Sequence, residues 1–374
     1  MTISTAVNGW RGTLLLLTVG AVAACDSGGE QPPVTPAPVV SSTAASSSAG
    51  APDLGRGEQI AQGLDVPWGL AFLPGGDALV AERDTARLLR VRAGGGEPQL
   101  VREVPGVDPG GEGGLLGLAV SPRFARDNLV YAYHTAASDN RITRFRLDGG
   151  GEPEVILDGI AKAGNHNGGR IAFGPDGMLY VGTGDAAQTA RAQDPASPNG
   201  KILRLTPDGG AAPGNPVAGS PVYSLGHRNV QGLAWDAEGR LFATEFGQNE
   251  LDEVNLIRPG RNYGWPEVEG KGDTHGGKYT NPLVTWPTDD ASPSGMAIAG
   301  STGYVAALRG ERLWTLPLDG DTIGTPRAEL GGTYGRLRTV AVAPDGALWL
   351  TTSNRDGRGE ERDGDDRILR FPAS

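Results

Sequence analysis

One short pattern recurs six times along this chain, and it restricts the fold more than any other feature. In its clearest copy, Ile171-Ala172-Phe173 leads through Pro175-Asp176-Gly177 into Leu179-Tyr180-Val181. Apolar runs on either side of a Pro-Asp-Gly turn are a strong local signal for a β-hairpin. Equivalent hairpins contain Ala71, Ala119, Ala234, Ala297 and Ala341. A second element follows each one, a strand resembling R-[IL]-x-R-[FLV], at 87–91, 141–145, 201–205, 253–257, 312–316 and 367–371. Both elements count to six, at spacings of roughly 44–63 residues, the signature of a β-propeller. A sheet of this size cannot bury its own faces, so neighbouring sheets must supply the core. The expectation is an all-β, six-bladed β-propeller of mostly four-stranded antiparallel blades. Gln59-Ile60-Ala61 is expected to add a strand to the last blade and close the ring. The longer third and fourth spacings place insertions near 185–220 and 247–293.

Composition agrees with short strands and tight turns. The chain of 374 residues carries 60 Gly and 28 Pro, too much punctuation for long helices. A formal net charge of −11 argues against nucleic acid or an anionic membrane surface as partner. The single cysteine excludes an intramolecular disulfide and a Cys-based zinc site. That cysteine, Cys25, ends an apolar run, Leu14 to Val22, preceded by Arg11 and followed by Ala23-Ala24. The run is too short to span a bilayer and reads as a secretory signal. Small residues directly before the cysteine resemble a bacterial lipobox; the alternative is an ordinary signal with an incidental Cys. The expected organisation is a lipoprotein signal over 1–24, a lipidated Cys25 with a Pro/Ser/Ala-rich tether over 25–56, and the propeller over 57–374. A lipid on Cys25 would hold the protein at the outer face of the cell membrane without a transmembrane helix.

Chemistry concentrates in stretches that precede the hairpins. They carry Glu112, then Asn165-His166-Asn167-Gly168-Gly169-Arg170, then His227-Arg228-Asn229, then Arg336 and Arg338. If the strand after each is the innermost of its blade, all four stretches rim one mouth of the central channel. Arg228, Arg336 and Arg338 then converge, and Arg309 follows the equivalent strand pair of blade five. Clustered guanidiniums require an anion, and the fork suits a planar carboxylate; the alternative is that each Arg pairs with a local Asp or Glu. His166, flanked by small residues, is placed to take a hydroxyl proton near neutral pH. Glu112 either orients it or the substrate, or is a solvated turn residue. The acidic Gly-rich stretch 244–273 suits a hard cation such as calcium, although such loops are also common without metal.

These strings resemble the soluble sugar dehydrogenases that use pyrroloquinoline quinone, the glucose/sorbosone dehydrogenase family, and within it the aldose sugar dehydrogenases. The carrying motifs are P-W-G-L-A-F, E-G-G-L-L-G, N-H-N-G-G-R, G-K-I-L-R-L, L-G-H-R-N-V-Q-G-L, N-Y-G-W-P, S-P-S-G-M-A and R-L-R, in that order. The resemblance implies a propeller that binds the quinone across its mouth and oxidises aldose sugars at the anomeric carbon to lactones. It implies His166 as general base, Arg228 and Asn229 as cofactor and substrate contacts, and Arg309, Arg336 and Arg338 as further cofactor contacts. It implies calcium held by the carbonyls of Gly247 and Gln248, and a second calcium near Glu253, Tyr263 and Asp273. Glu112 and Asn165 replace the Gln and Asp of glucose-specific members. The electron acceptor is unknown, and a monomer or homodimer is expected. The rival readings are a calcium-dependent lactonase, which needs carboxylates lining the channel, and a non-catalytic binding propeller, which has no need of His166.

Overall fold

The computed structural model describes residues 50–149 and 151–374. The leader, Cys25 and most of the tether lie outside the described residues. Six antiparallel sheets follow one another along the chain. Blade one is Pro67–Phe72, Ala78–Glu82, Arg87–Val91 and Gln99–Glu103; blade two is Leu115–Val120, Leu129–Thr135, Asn140–Arg146 and Glu154–Ile160. Blade three is Ile171–Phe173, Leu179–Gly182, Lys201–Leu205 and Val222–Leu225; blade four is Val230–Trp235, Leu241–Glu245, Leu251–Ile257 and Val284–Pro287. Blade five, with five strands, starts at Pro293–Ala299. Blade six joins Leu337–Val342, Leu348–Thr352 and Ile368–Phe371 to Glu58–Ala61 from the start of the domain. The expected closing strand is therefore present, with Glu58 opposite Arg370 and Gln59 opposite Leu369. Contacts begin slightly ahead of the expected boundary at Gly57, since Pro52 bridges Ala373.

The repeated glycine of the hairpin has a physical cause. A side chain at Gly117 would collide with the Gly169 carbonyl just ahead of the next innermost strand, and one at Gly69 with that of Leu116. Backbones this close to the axis leave no room for a Cβ. The ladder between first and second strands also slips at the start of five blades, at Pro67/Gly69, Leu115/Leu118, Val230/Gly232, Pro293/Met296 and Leu337/Val340. Such bulges re-aim the chain where it enters a sheet, here where each mouth loop meets its inner strand. The core lies between blades: Leu79, Leu88, Leu115 and Val130 form one seam, and Tyr133, Ile171, Val181 and Leu203 the next. Among the described residues no helix is long and apolar enough to cross a membrane.

The insertions are not simple loops on one face. The 185–220 insertion divides into a segment between the second and third strands of blade three and another between its third and fourth. The second insertion lies mostly at 258–283, between the third and fourth strands of blade four. It runs parallel to the outer strand of blade three, with Asn262 bridging Leu225 and Tyr263 N donating to Leu225 O at 2.8 Å. A cis peptide joins Trp265 to Pro266. This course delivers Trp265 to the site described next.

Candidate active site

His166 sits in the loop before the inner strand of blade three with φ 56°. Its Nδ1 lies 2.8 Å from Asp185 Oδ1, and its side chain is 12% exposed while that of Asp185 is fully buried. Asp185 also accepts from Trp265 Nε1 at 2.9 Å and from Ala187 N at 2.8 Å. Burial alone would raise the Asp185 carboxyl, but hydrogen bonds from His166 and Trp265 outweigh it and hold the group below its usual value. An ionised Asp185 fixes the tautomer with the proton on Nδ1, which leaves the lone pair on Nε2. Glu112 grips the same histidine through the backbone: its Oε2 accepts from His166 N at 2.9 Å. Its other oxygen meets Arg358 Nη1 at 2.9 Å.

Arg228 joins this group through two contacts. Its carbonyl accepts from Asp185 N at 2.8 Å, and its guanidinium stands 5.5 Å from the centre of the Trp265 ring. Behind it, Glu245 accepts from Arg228 N and from His227 Nδ1, and His227 stacks on Tyr263 at 4.8 Å. Asn229 Oδ1 accepts from Gly168 N at 3.0 Å, two residues from His166. On the far side, Arg336 and Arg338 share Asp356 at 2.9 and 3.4 Å. Burial favours the protonated Asp356, but the two guanidiniums prevail and keep it ionised below its ordinary range. Arg338 Nη1 also donates to Gln231 Oε1 at 3.1 Å, on the strand that begins beside Arg228. The contacts thus run in an arc round one opening, from Arg228 through Trp265, Asp185, His166, Glu112 and Arg358, whose backbone N donates to Asp356, to Arg338 and Gln231, which lies three residues beyond Arg228 along the chain.

Two polar atoms in this arc are buried without a partner among the described residues, Arg228 Nε and Asn229 Nδ2. Both are donors. Leaving such groups unpaired is costly, so the mouth is built for an acceptor-rich guest.

Arg309 does not join the group. It stands at the end of its strand pair as expected, but 60% exposed and paired with Asp289 at 2.6 Å. The partner carboxylate, in the loop before the inner strand of blade five, is itself 74% exposed, so this pair faces solvent. The expected second calcium position is also not assembled as a side-chain cluster. Glu253 is buried, bound to Gly270 N at 2.7 Å and Asn255 Nδ2 at 2.8 Å. The Tyr263 hydroxyl donates to Leu256 O and accepts from Arg258 N. Asp273 is exposed and caps a turn at His275 N. Among the described residues no group of three or more His, Cys, Asp or Glu side chains is placed to hold a metal, the arrangement that the lactonase reading requires. Gly247 follows the second strand of blade four and lines a small cavity with Arg228, the exposed Gln248 comes next, and the carbonyls of both accept no backbone hydrogen bond among the described residues.

Sequence reasoning missed Asp185, Trp265, Gln231 and Asp356. Asp185 and Asp356 were within reach, since each follows the second strand of its blade, as Arg309 does. Trp265 was not, because only the climb of its loop beside blade three brings it to Asp185.

The geometry defines a six-bladed propeller whose mouth sets a carboxylate-held histidine against buried guanidiniums. The family model for glucose/sorbosone dehydrogenases matches residues 64–369, and the chain belongs to that family of oxidoreductases. The structure of the PQQ-bound form of an aldose sugar dehydrogenase from Streptomyces coelicolor superposes with a TM-score of 0.82 at 56% identity, covering 87% of this chain and all of the other. The aldose sugar dehydrogenase of Escherichia coli is 29% identical over 79% of this chain and 89% of its own length. Quinoprotein glucose dehydrogenase B of Acinetobacter calcoaceticus is 32% identical over 59% of this chain and 54% of its own.

Proposed function

We propose that this protein is a pyrroloquinoline-quinone-dependent sugar dehydrogenase that oxidises aldoses at the anomeric carbon to lactones, with His166 as general base. The observation that carries the reading is the Asp185–His166 pair, set in one arc of contacts with Arg228, Asn229, Arg336 and Arg338. The residues fit a quinone that bears carboxylates, because Arg228 and Asn229 present unpaired buried donors and guanidinium pairs well with carboxylate. The carbonyls of Gly247 and Gln248 suit a calcium ion beside it. When bound, this group supplies hydride acceptance, with the metal as the Lewis acid that polarises it.

The protein's own part is proton management and placement. His166 Nε2 takes the proton of the anomeric hydroxyl as the hydride leaves the same carbon. The resulting imidazolium is stabilised through Nδ1–H by Asp185 at 2.8 Å, as in other carboxylate-held histidines. Trp265 holds Asp185 from the other side and leaves it one orientation. Glu112 fixes the His166 backbone, so the imidazole cannot swing away. A tether through a lipidated Cys25 is part of the same proposal.

The test is to purify the protein, add quinone and calcium, and follow dye reduction with a panel of aldoses. Wild type should turn over and His166→Gln should lose at least about a hundredfold in kcat. A silent wild type, or a fully active His166→Gln, would overturn the proposal.

A further inference from the structure

Below the mouth, inside the ring, stands a charged residue that the proposed reaction does not use. Arg170 directly precedes the inner strand of blade three and is 8% exposed. Its Nε donates to the main-chain oxygen of Gln231 in blade four at 2.7 Å. Its Nη2 donates to Thr339 Oγ1 in blade six at 3.1 Å. Its guanidinium lies 4.3 Å from the centre of the Trp68 ring in blade one. Every one of these partners is neutral. Among the described residues, the one charged group that acts on it is another cation, Arg338. Arg338 itself must share Asp356 with Arg336.

A guanidinium buried without a carboxylate is expensive. If the role were only to brace four blades, a neutral donor would do so without that cost. The surplus charge is tied to the mouth through one residue. Gln231 receives Arg170 on its carbonyl and Arg338 on its side-chain oxygen, and that oxygen also accepts from Ser294 Oγ at 3.0 Å. Burial holds Arg170 down to about 9 and Arg338 to about 10, so both remain cationic at neutral pH.

We propose that Arg170 is an electrostatic positioning residue: its unneutralised charge, buried under the mouth, draws the carboxylates of the bound guest without touching them. The inference rests on the quinone reading above. A unit charge acting across a few side chains at the effective dielectric of such a site changes affinity by on the order of tenfold.

The experiment titrates the apo protein with pyrroloquinoline quinone and, separately, with its uncharged trimethyl ester, following tryptophan fluorescence. Thermal unfolding of each apo variant is recorded beside it. Arg170→Met should bind the free quinone about tenfold more weakly than wild type, and the ester equally well. Arg170→Lys, which keeps the charge and loses the fork, should bind the free quinone within about threefold of wild type. If Arg170→Met does not fold, Arg170→Gln is read the same way. Equal losses for quinone and ester would show a brace alone and overturn the proposal, as would unchanged quinone affinity. A wild type that binds no quinone would instead overturn the functional reading, and this inference with it.

Discussion

Acid should loosen the seam between the first two blades, and His134 is the reason. It lies on the second strand of blade two, opposite Leu115 on one side and Arg141 on the other. By alternation its side chain follows Val130 and Ala132 onto the face that packs against blade one. It is 1% exposed, and among the described residues neither ring nitrogen makes a well-formed hydrogen bond, the Thr135 backbone giving only a weak one. Burial pushes its pKa down from 6.5 to about 4. The folded state therefore holds a neutral ring where the unfolded chain would already be protonated. Between pH 6.5 and 4 the unfolded state binds more protons, so this contribution to stability is whole above 6.5 and lost as pH falls toward 4. At about 1.4 kcal/mol per unit, the shift is worth roughly 3 kcal/mol. Three buried acids act in the opposite sense. Burial raises Asp252 to about 7, Glu253 to about 8 and Asp366 to about 6, so they favour the fold at low pH and lose that contribution as pH rises. The His134 share must therefore be read as a difference. Urea unfolding of wild type and His134→Leu at pH 7, 6, 5 and 4 should show the variant advancing on wild type by roughly 3 kcal/mol across the series. Any packing change is independent of pH and drops out of the slope. A difference that stays flat from pH 7 to 4 would refute the reasoning.

Three further outcomes follow from the site and its supports. Asp185→Asn removes the charge that stabilises imidazolium and should lower kcat by roughly a hundredfold or more, with little change in quinone affinity by titration. Trp265→Phe deletes one of the hydrogen bonds on Asp185; kcat should fall by roughly tenfold, near the worth of one hydrogen bond to a charged group, while the melting temperature moves little. Lys201 is fully buried and its Nζ donates to the carbonyls of Arg191, Ala192 and Asn199 at 2.7, 3.0 and 2.9 Å. Lys201→Met strands those carbonyls and should cost roughly 1–3 kcal/mol in urea unfolding, with hydrogen exchange rising first across 190–200.

The repeats were legible because their signals are local. A turn such as Pro175-Asp176-Gly177 needs nothing from the rest of the chain, and six copies can mean little but a ring. The rule that placed His166, Arg228, Arg336 and Arg338 on one opening was also local, since each precedes or, for Arg338, lies at the start of an equivalent strand. Its limit was the exit of the second strand, where the same rule selected Arg309 and passed over Asp185 and Asp356. What separates them is burial: Arg309 is held outward by Asp289, whereas Asp356 is shut between two guanidiniums. No motif encodes that difference, because it arises between blades. The pairing of Arg170 with Gln231, Thr339 and Trp68 was hidden for the same reason, its partners standing 61, 169 and 102 positions away.

The closing strand has a mechanical consequence. Glu58 lies opposite Arg370, and Pro52 bridges Ala373, so the chain enters and leaves the sixth blade at the same corner. A force applied at residue 50 against one applied at Ser374 would not strain the ladder along its length. It would peel the rungs singly from that corner, as a zip opens, and blade six would give way while the other five still stood.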